Sequence, residues 1–497
     1  MFARRLLADP GLPRTNPTTS YWQQHYDQNL SDIRSPTLPQ HRDVVIIGSG
    51  ITGCSSAVRL LEDQNETGDM NTNKSTSQPF SLTILEARGL CSGATGRNGG
   101  HVKFNAVSEY AAHKSQLGHE AAAHLVDFCM AHFQAIKSTA ERLGALEVGE
   151  MRGVTAITSI MDPAKLDDAR AAFRDFQGAF PNFKPSFSFV EGGEEVEKRF
   201  GISGAVAAIV GPAGAAWPYR LITGIFKSLL RTYQDRFSIE THTPALDIQR
   251  DGDASYPYSI HTPRGIIRAR HVIHCTEAHS SHLLPCLRGI IWPVKGQMAV
   301  LSPGKLLAKY RGEYSWSFLF PGFFDYATQN ARTGEIFIGG GDGNTEGQGF
   351  PQMATVSDDV EIEMNKIHLS GVLPVVFNNQ EPDDETSKLK VSWTGLMGFS
   401  IDGYPILGKL PEQALTRPAG TRTSGCEWIA AGFGGYGMVN SWLSGSAVVE
   451  ILLTGKAPQA LPPRYLMNPA RYSALEKILE SKITAGTVTG TSFRALM

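Results

Sequence analysis

The feature of the sequence that most constrains the fold is an apolar run that ends in three closely spaced glycines. Residues 43–53 read DVVIIGSGITG and place Gly48, Gly50 and Gly53 in a G-x-G-x-x-G pattern. The β-branched run predicts a buried strand, and the helical period that follows predicts a helix. In such a unit the glycines allow a tight turn, close approach of the backbone to a pyrophosphate, and close packing of the helix on the strand. The segment therefore predicts a Rossmann-like unit for an adenine dinucleotide, in preference to a purely structural turn.

A second predicted strand ends in an acidic residue that fits this interpretation. SLTILEA spans residues 81–87, and Glu86 lies where a carboxylate can accept hydrogen bonds from ribose hydroxyls. The usual interval between the glycines and this acid is ~20 residues, whereas Glu86 follows Gly53 by 33. The polar segment at 63–80 accounts for the excess and predicts a long surface loop. A glutamate here argues against NADP, although Arg88 follows closely.

The segment after this strand favours a flavin over a nicotinamide. Residues 86–101 read EARGLCSGATGRNGGH and lie where the far half of an extended dinucleotide must pass. Main-chain N–H groups of Ser92, Thr95 and Gly96 can bind phosphate, and the glycines let a flat ring system lie against the backbone. Taken alone, the stretch 94–101 favours an ordinary mobile loop, and only its context favours a binding loop.

Size and composition narrow the class of protein. A chain of 497 residues predicts two or three domain-sized units, and a net charge of −2 carries no electrostatic signature of nucleic-acid binding. The six cysteines form no CxxC pair and no Cys/His cluster, so we expect reduced thiols and no metal site. No apolar run approaches the ~20 residues that span a bilayer. We expect a cytoplasmic protein without membrane or nucleic-acid partners. The arginines of MFARRLLADPG leave a mitochondrial location open. The sequence does not decide between a monomer and a dimer.

Eight short motifs, in order along the chain, resemble the flavin-dependent D-amino-acid oxidase, glycine oxidase and sarcosine oxidase superfamily. Within it, the chain is most similar to the branch that contains gamma-glutamylputrescine oxidase and its fungal relatives. The motifs are SYW (20–22), DVVIIGSGITG (43–53), ILEA (84–87), GATGRNGGH (93–101), PVKGQM (293–298), GEIFIGGG (334–341), WTGLMGFSIDGYPILG (393–408) and AAGFGGYGM (430–438).

The resemblance implies an α/β fold in which a Rossmann-like FAD-binding domain is interleaved with a smaller, α+β substrate domain built on an antiparallel sheet. We expect an N-terminal arm at 1–42 and a C-terminal tail at 466–497. The FAD-binding segments are then 43–110, 204–292 and 396–465, and the substrate segments are 111–203 and 293–395. The residue pattern itself predicts helix over 107–145 and a second, antiparallel sheet around 293–340.

The resemblance also implies which residues hold FAD. The fingerprint binds the ADP part, the backbone near Pro244 meets the adenine, and the turn at 434–438 opens a helix whose positive end faces the flavin, with a plain helix start as the alternative. Some sarcosine oxidases attach FAD through a cysteine near the strand that corresponds to 326–341, and this chain has no cysteine there, so the resemblance favours non-covalent FAD. Covalent attachment at His101 is the alternative. The role of Glu277 is left open. The implied set is Gly48, Gly50, Ile51, Thr52, Gly53, Glu86, Ala87, Arg88, Ser92, Thr95, Gly96, Arg97, Asn98, Gly99, Gly100, His101, Pro244, Ala245, Cys275, Thr276, Gly398, Asp402, Gly432, Gly434, Gly435, Tyr436, Gly437 and Met438.

The implied reaction removes a hydride from the carbon next to the nitrogen of a small amine or amino acid, giving an imine, while O2 is reduced to H2O2. The cofactor carries the hard chemical step, so the protein needs mainly a dry pocket that presents a neutral amine. Two alternatives stay open. One is an FAD dehydrogenase or biosynthetic oxidase for a larger amine, and the other is a flavin-binding protein without turnover.

Candidate catalytic residues stand beside the family-like motifs. They are His101, Lys295, Tyr326 and Trp393, and Lys103 also lies close enough in sequence to approach the reactive end of the flavin. In YSWSFLFPGFFDY (314–326), one face of a predicted strand carries an aromatic row that consists of Tyr314, Trp316, Phe318 and Phe320. That aromatic row can wall the substrate pocket or pack in the core of the smaller domain, and the sequence favours neither.

Overall fold

The computed structural model describes residues 2–24, 27–66, 80–253, 255–341, 352–378 and 388–484. The strands are β1 (His41–Ile47), β2 (Leu82–Leu85), β3 (His101–Val102), β4 (Arg152–Ile160), β5 (Ser188–Glu191), β6 (Ala207–Ala215), β7 (Phe237–Glu240), β8 (Asp247–Arg250), β9 (Tyr258–Thr262), β10 (Gly265–His274), β11 (Ile291–Leu301), β12 (Tyr314–Phe320), β13 (Phe323–Gln329), β14 (Ile336–Gly340), β15 (Leu389–Ser400), β16 (Ile406–Lys409) and β17 (Glu427–Ala431). The α-helices are α1 (Phe2–Leu6), α2 (Gln28–Ser31), α3 (Ile51–Glu66), α4 (Ala106–Leu117), α5 (His119–Arg142), α6 (Leu166–Ala179), α7 (Gly193–Phe200), α8 (Pro218–Thr232), α9 (Ser280–Leu283), α10 (Gly304–Ala308), α11 (Glu363–Val376), α12 (Ser441–Thr454) and α13 (Pro469–Thr484).

The first sheet has the order β16-β17-β10-β1-β2-β7, with β9 paired to β10 and β8 to β9. The five strands from β17 to β7 run parallel to one another. Val44, Val45 and Ile46 of β1 have no exposed surface, which is typical of a parallel strand covered on both faces. The predicted strand–turn–helix unit is therefore confirmed as β1, the glycine turn and α3.

Helix α3 packs against α12, so the two glycine-rich ends of the chain meet in space. The hydroxyl of Ser56 donates to the carbonyl of Gly445 at 3.1 Å. A Cβ on Gly445 would lie 2.4 Å from the carbonyl oxygen of Thr52. Because only a glycine allows this approach, the helices come close enough to bring their N-terminal ends to the same region.

The second sheet has the order β15-β11-β14-β13-β12-β4-β6-β3, with β5 paired to β6. Its pairings are antiparallel except for β4 with β12. Helices α4 and α5 account for the helix predicted over 107–145. The parallel and antiparallel sheets confirm the predicted fold class.

The aromatic row of β12 packs in the core of the antiparallel part and does not wall a pocket. Trp316 and Phe318 are buried, and both rings meet Phe377, which directly follows α11, edge to face at 5.9 Å and 6.2 Å. Of the two interpretations that the sequence allowed, core packing is therefore the one that the structure shows. The opposite face of the strand presents Ser317 and Leu319 to the cavity described below.

The described segments near both ends of the chain pack around this core. In the N-terminal arm, Trp22 stacks on Phe337 with ring centroids 3.8 Å apart. Near the C-terminus, α13 occupies part of the predicted tail, although the sequence pattern did not predict a helix there. The division of the chain into domains stays a prediction; the structure places β6, within segment 204–292, in the antiparallel sheet.

Three further expectations concern the surface loop, membrane-spanning helices and metal ions. Residues 63–66 of the predicted surface loop continue α3, and residues 67–79 lie outside the described part of the chain. Within the described ranges, no helix is long and apolar enough to cross a membrane. The same ranges contain no group of His, Cys, Asp and Glu side chains that could hold a metal ion.

Candidate functional site

A cavity of about 880 Å³ opens where the two sheets meet. Its wall includes the residues that follow the carboxyl ends of β1, β2 and β10, namely Gly48, Glu86 and Cys275. Open α/β sheets bind ligands at this edge. The remaining wall comes from the antiparallel sheet, and its volume suits a ligand of cofactor size together with a small substrate.

Each glycine of the fingerprint is required by a close contact. Gly48 has φ +109°, and a Cβ there would lie 2.4 Å from the carbonyl oxygen of Cys275. A Cβ on Gly50 would lie 2.9 Å from Thr95 Oγ1, and one on Gly53 would lie 2.1 Å from the carbonyl oxygen of Gly48. Gly48 and Gly50 line the cavity, whereas Gly53 serves the packing of α3 on β1.

Glu86 lines the cavity and is held by the glycine turn. Its Oε2 accepts hydrogen bonds from the backbone N–H of Ser49 at 3.1 Å and from the Ser49 hydroxyl at 2.6 Å. Its Oε1 accepts the N–H of Arg88 at 3.0 Å. The carboxylate is thus fixed in position in the cavity wall, where the sequence places a ribose.

The glycine-rich loop at 92–101 is clamped by its neighbours. Thr95 Oγ1 accepts the N–H of Ile51 at 3.0 Å, which joins the loop to the fingerprint turn. The guanidinium of Arg97 donates to the carbonyls of Ser92 and Thr394 at 2.9 Å each. These bonds anchor the loop to the fingerprint turn and to β15, which favours a fixed binding loop over an ordinary mobile loop.

Two of the three N–H groups that the sequence offered for phosphate binding are used inside the loop. The N–H of Ser92 donates to the carbonyl of Gly89 at 3.2 Å, and that of Gly96 donates to the carbonyl of Gly93 at 3.0 Å. Neither residue lines the cavity. The loop closes into short turns that satisfy these two donors, so the structure does not offer either N–H group to a phosphate.

The structure brings most of the predicted cofactor residues to the cavity. Those in its wall are Gly48, Gly50, Ile51, Thr52, Glu86, Ala87, Arg88, Thr95, Arg97, Asn98, Gly99, His101, Ala245, Cys275, Thr276, Gly434, Gly435, Tyr436, Gly437 and Met438. Those outside the wall are Gly53, Ser92, Gly96, Gly100, Pro244, Gly398, Asp402 and Gly432. Asp402, for example, forms an ion pair with Arg471 at 3.2 Å. The carbonyl of Gly100 accepts a hydrogen bond from the N–H of Ala216, which follows β6, at 2.9 Å.

The four catalytic candidates divide in the same way. His101 and Tyr326 line the cavity, whereas Lys295 and Trp393 do not. The ammonium of Lys295 donates to the carbonyl of Val360 at 3.2 Å, and the fully buried Trp393 donates from Nε1 to the carbonyl of Arg97 at 2.8 Å. Trp393 therefore supports the glycine-rich loop from behind, and the expectation that it or Lys295 reaches the substrate is not met by this geometry.

Glu277, whose role the sequence left open, joins the two sheets. Its carboxylate accepts the N–H groups of Gly398 and Gly432 at 2.9 Å each and that of Phe433 at 3.2 Å. Its backbone has φ +45°, an uncommon value for a residue with a side chain. Burial raises the pKa of Glu277 to about 7, against the lowering effect of the three N–H groups. The residue fixes the start of the glycine turn that precedes α12.

A row of five residues in register, the floor row, crosses the antiparallel sheet at the cavity, and three of them, Met298, Ser317 and Tyr326, line the cavity wall. Thr158, Ser317, Tyr326, Gly339 and Met298 are successive partners across β4, β12, β13, β14 and β11. Opposed residues of neighbouring strands point to the same face. The Tyr326 hydroxyl donates to the sulfur of Met298 at 3.2 Å, across Gly339. A Cβ on Gly339 would lie 2.4 Å from that sulfur, so this contact requires the glycine.

Two basic side chains follow the glycine-rich loop into the cavity. Lys103 Nζ donates to Thr158 Oγ1 and to Ser317 Oγ, both at 2.7 Å, and burial lowers the pKa of Lys103 to about 7. Burial, with a smaller effect of Lys103, holds the pKa of His101 well below its ordinary value. His101 Nε2 is buried and has no hydrogen-bond partner within the described ranges. The cavity thus contains a neutral imidazole beside an easily deprotonated lysine.

One acidic residue of the wall was missed by the sequence analysis. Glu109 of α4 accepts the Tyr436 hydroxyl on Oε1 at 2.7 Å, and its Oε2 lies 3.5 Å from Nε2 of His113. Burial raises the pKa of Glu109. A helix with an acid in its first turn is too common to indicate a site, so the sequence carried no signal for Glu109.

Comparison with known proteins was made on both sequence and structure. A family model described as FAD dependent oxidoreductase, DAO, matches residues 43–451. The structure resembles glycine oxidase from Geobacillus kaustophilus with a TM-score of 0.63 and 17% identity, covering 86% of this chain and 99% of that chain. It resembles L-proline dehydrogenase from P. horikoshii with a TM-score of 0.64 and 18% identity, covering 88% and 99% of the two chains. For L-amino acid deaminase from Proteus vulgaris, with its specific insertion deleted, the TM-score is 0.60 at 16% identity, covering 92% and 98%. A search of the curated proteins found no match.

Proposed function

The chain belongs to the DAO family of FAD-dependent oxidoreductases, and on this premise we propose that it oxidises a small amine or amino acid at the carbon next to nitrogen. The product is an imine, and O2 is the electron acceptor, giving H2O2. One observation carries the proposal: a continuous cavity joins a glycine-built dinucleotide site to an end lined by Lys103, Tyr326 and Glu109. The narrower likeness to gamma-glutamylputrescine oxidase stays a prediction.

The residues of the cavity fit FAD. Gly48 and Gly50 leave no room for a side chain, as a backbone that approaches a pyrophosphate requires. At the other end, Gly434 and Gly435 have φ +59° and +84°, and a Cβ at either would meet only ordinary contacts. Their conformation, rather than crowding by the protein, requires glycine, and the open space beside them suits a flat ring. The turn precedes α12, whose N-terminal end stabilises negative charge.

FAD supplies the acceptor for a hydride equivalent when it is bound, and the chain's own residues bind the substrate and exclude water. The carboxylate of Glu109 suits the attraction of an ammonium group, and the aromatic ring of Tyr326 suits contact with the carbon beside it. FAD is expected to be non-covalent. Burial raises the pKa of Cys275, a cysteine in the wall, to about 12, so its thiol stays protonated and a poor nucleophile.

The substrate class draws support from the solved structures that share the fold. They include a glycine oxidase, an L-proline dehydrogenase and an L-amino acid deaminase, three proteins whose names refer to amino acids. At 16–18% identity they support the shared fold alone. The choice between amino acids and other amines, and between O2 and another acceptor, therefore has to be made by experiment.

The test uses the purified full-length protein. We expect a yellow protein with one FAD per chain that bleaches under anaerobic conditions with a member of a panel of polyamines, N-methyl amino acids and primary amino acids. Admission of air should restore the colour with one equivalent of H2O2. Bleaching without recovery in air would overturn the assignment of O2 as acceptor, and a protein that bleaches with no member of the panel would contradict the proposed reaction. A colourless protein that does not take up FAD would overturn the cofactor as well.

A further inference from the structure

A protonation problem accompanies the proposed reaction. An alkyl ammonium has a pKa near that of lysine, ~10.4, so fewer than about one amine molecule in a thousand is neutral at pH 7. The carbon beside a protonated nitrogen cannot lose a hydride, because the lone pair that stabilises the resulting imine is already bonded to a proton. A group in the cavity that removes this proton would make the abundant form of the substrate reactive.

Lys103 has the position for this role. It lines the cavity, two residues after His101, and reaches the floor row of the antiparallel sheet. There its Nζ donates to Thr158 Oγ1 and Ser317 Oγ at 2.7 Å each. Both partners are themselves buried and are directly opposed in the pairing of β4 with β12. The register of the sheet therefore fixes the end of the lysine side chain.

The two hydroxyl partners match a neutral amine better than an ammonium. A neutral lysine has two N–H donors and one lone pair, whereas an ammonium has three N–H donors. Thr158 and Ser317 use two donors, and no carboxylate within the described ranges bonds to Lys103. A third N–H would thus remain without a protein acceptor, while a lone pair in the same position would be offered to a ligand. Burial without a counter-ion also lowers the pKa of Lys103 to about 7.

We propose that Lys103 accepts a proton from the ammonium group of the bound substrate, an assignment that rests on the proposed function. The N–H bond of the substrate breaks, its electron pair stays on the substrate nitrogen, and the proton forms a new bond to Nζ. The products are a neutral amine and a lysine ammonium held by Thr158 and Ser317. No oxidant is involved in this step, and the net charge of the cavity is unchanged.

Other titratable groups of the cavity suit the role less well. His101 faces the same region, but its strongly lowered pKa makes it a poor acceptor for an ammonium proton. Glu109 can attract an ammonium, but a carboxyl has an ordinary pKa of ~4.3 against ~10.4 for a lysine and is a much weaker base, and one of its oxygens already accepts the Tyr436 hydroxyl. Lys103 contributes to the lowered pKa of His101, whereas burial lowers the pKa of Lys103 itself.

A first experiment tests the state of Lys103 without any substrate. In the holoprotein the pKa of Lys103 lies below its ordinary value of 10.5, so between about pH 7 and 10.5 the folded state binds fewer protons than the unfolded state. The stability of the wild type therefore rises with pH in this window. Lys103→Met should melt at a higher temperature than the wild type at pH 6–7, by a margin that shrinks towards pH 10. Lys198→Met, on the exposed face of α7, is the matched control and should show no such trend. A constant margin for Lys103→Met would contradict the proposal.

A second experiment measures anaerobic reduction of the holoenzyme by the amine that bleaches it most rapidly, between pH 6.5 and 9.5. General bases contribute about 10²–10⁴-fold, so we expect Lys103→Met to be about 100-fold slower at pH 7 and to recover as the pH rises and free amine becomes abundant. Lys103→Arg should be equally slow, because a guanidinium cannot accept a proton. Restoration of the rate by arginine would show that only a fixed charge is needed and would overturn the proposal. So would a Lys103→Met rate equal to that of the wild type.

The outcomes separate this proposal from the proposed function. If the wild type is reduced by an amine and the Lys103 variants are unaffected, the proton acceptor is wrong and the reaction stands. If no amine reduces the wild type, both fall. Should Lys103→Met not fold, Thr158→Val provides the second variant. Loss of one hydroxyl disfavours the ammonium form, so the pH profile of reduction should move to lower pH, and an unmoved profile would contradict the role of Lys103.

Discussion

The two ends of the cavity are built in different ways. At the adenosine end, Gly48 and Gly50 expose backbone, and the contacts that matter are those a side chain would block. At the opposite end, Lys103, Ser317 and Tyr326 present side chains that come from different strands and a loop. The adenosine end is formed by a few residues that are close in sequence, whereas the opposite end depends on the register of several strands in one sheet.

This difference explains why the two ends respond differently to substitution. A backbone-lined site fails when volume is added, because the ligand and the protein share the same narrow space. A side-chain-lined site fails when one partner is displaced or removed, because the neighbours lose a hydrogen bond or a contact. The predictions below test this contrast, beginning with the largest expected effect.

Gly50→Val should abolish retention of FAD. The added side chain would meet Thr95 Oγ1, where a Cβ already lies 2.9 Å away, and would extend into the cavity. Overpacking costs ~1–3 kcal/mol, and loss of close approach to the pyrophosphate adds to it, so we expect FAD to bind about 100-fold more weakly or worse. Flavin absorbance per chain after gel filtration measures the effect.

Gly178→Val is the matched control for Gly50→Val. Gly178 lies on the exposed face of α6, and a Cβ there would meet no atom within 4 Å. This variant should retain FAD at the wild-type level. Full retention of FAD by Gly50→Val would mean that the fingerprint turn is a structural turn only, and the contrast between the two ends would be lost.

Glu277→Ala should have the next largest effect, because Glu277 binds backbone N–H groups of β15 and of the segment that follows β17. Removal of the carboxylate leaves the N–H groups of Gly398, Gly432 and Phe433 without their acceptor. Each unsatisfied buried N–H costs ~1–3 kcal/mol, but Glu277 lines the cavity and water can replace part of the loss. We therefore expect a loss of about 2 kcal/mol in stability, measured as a lower melting temperature of the holoprotein.

Glu277→Gln sharpens the interpretation of the alanine variant. A glutamine retains one acceptor oxygen and nearly the same shape, so its melting temperature should lie between those of the wild type and Glu277→Ala. FAD should also dissociate faster from the alanine variant, because the turn at 434–438 follows directly on the released N–H groups. Wild-type melting and dissociation for Glu277→Ala would show that the carboxylate does not hold the turn.

The same contrast decides how much could be predicted from the sequence. The glycine turn, β1, α3 and Glu86 were predictable because each depends on neighbours within a few residues or on the next strand. The floor row was not, because its five members come from strands that are adjacent only in the folded sheet. The pattern of β12 did contain a signal: Ser317 and Leu319 alternate with the large rings, and both line the cavity.

The predicted site residues that the structure places outside the cavity follow the same division. Lys295 and Trp393 stand beside family-like motifs, yet proximity in sequence does not fix what a side chain contacts. Lys295 lies three residues before Met298 on β11 and therefore on the face opposite to the floor row. Trp393 pairs with Met298 and shares its face, but its indole lies against the glycine-rich loop and not in the cavity wall. The N–H groups of Ser92 and Gly96 were counted as free because turns inside a glycine-rich segment cannot be read from composition.

Gly339→Ala should disturb the reactive end while leaving the adenosine end intact. The new methyl group would lie 2.4 Å from the sulfur of Met298 and 2.8 Å from the Tyr326 hydroxyl. The flexible methionine can move aside, so we expect a folded protein with normal FAD content and an anaerobic reduction rate lowered about tenfold, the equivalent of ~1.4 kcal/mol. Reduction measured by stopped-flow absorbance, together with the FAD content, checks both parts.

The double variant Gly339→Ala with Met298→Ala removes the atom that the methyl group displaces. If crowding at Met298 is the cause, the double variant should be closer to the wild type than the sum of the two single variants predicts. Strict additivity would show that the floor row tolerates the methyl group and that the slower reduction has another origin. Loss of FAD from Gly339→Ala would contradict the separation of the two ends.

Trp393→Phe should have the smallest effect, and it asks whether this tryptophan belongs to the chemistry or to the scaffold. The phenyl ring preserves most of the buried volume, and the variant loses the hydrogen bond from Nε1 to the carbonyl of Arg97. Such a bond contributes about 1 kcal/mol, so the melting temperature should fall slightly while the reduction rate stays near that of the wild type. A tryptophan that touched the substrate would give the opposite result, a large fall in rate with little change in melting temperature. Because the indole is fully buried behind the loop, we expect the stability effect alone, and the loop would then retain its path through the bonds that Arg97 makes with its other partners.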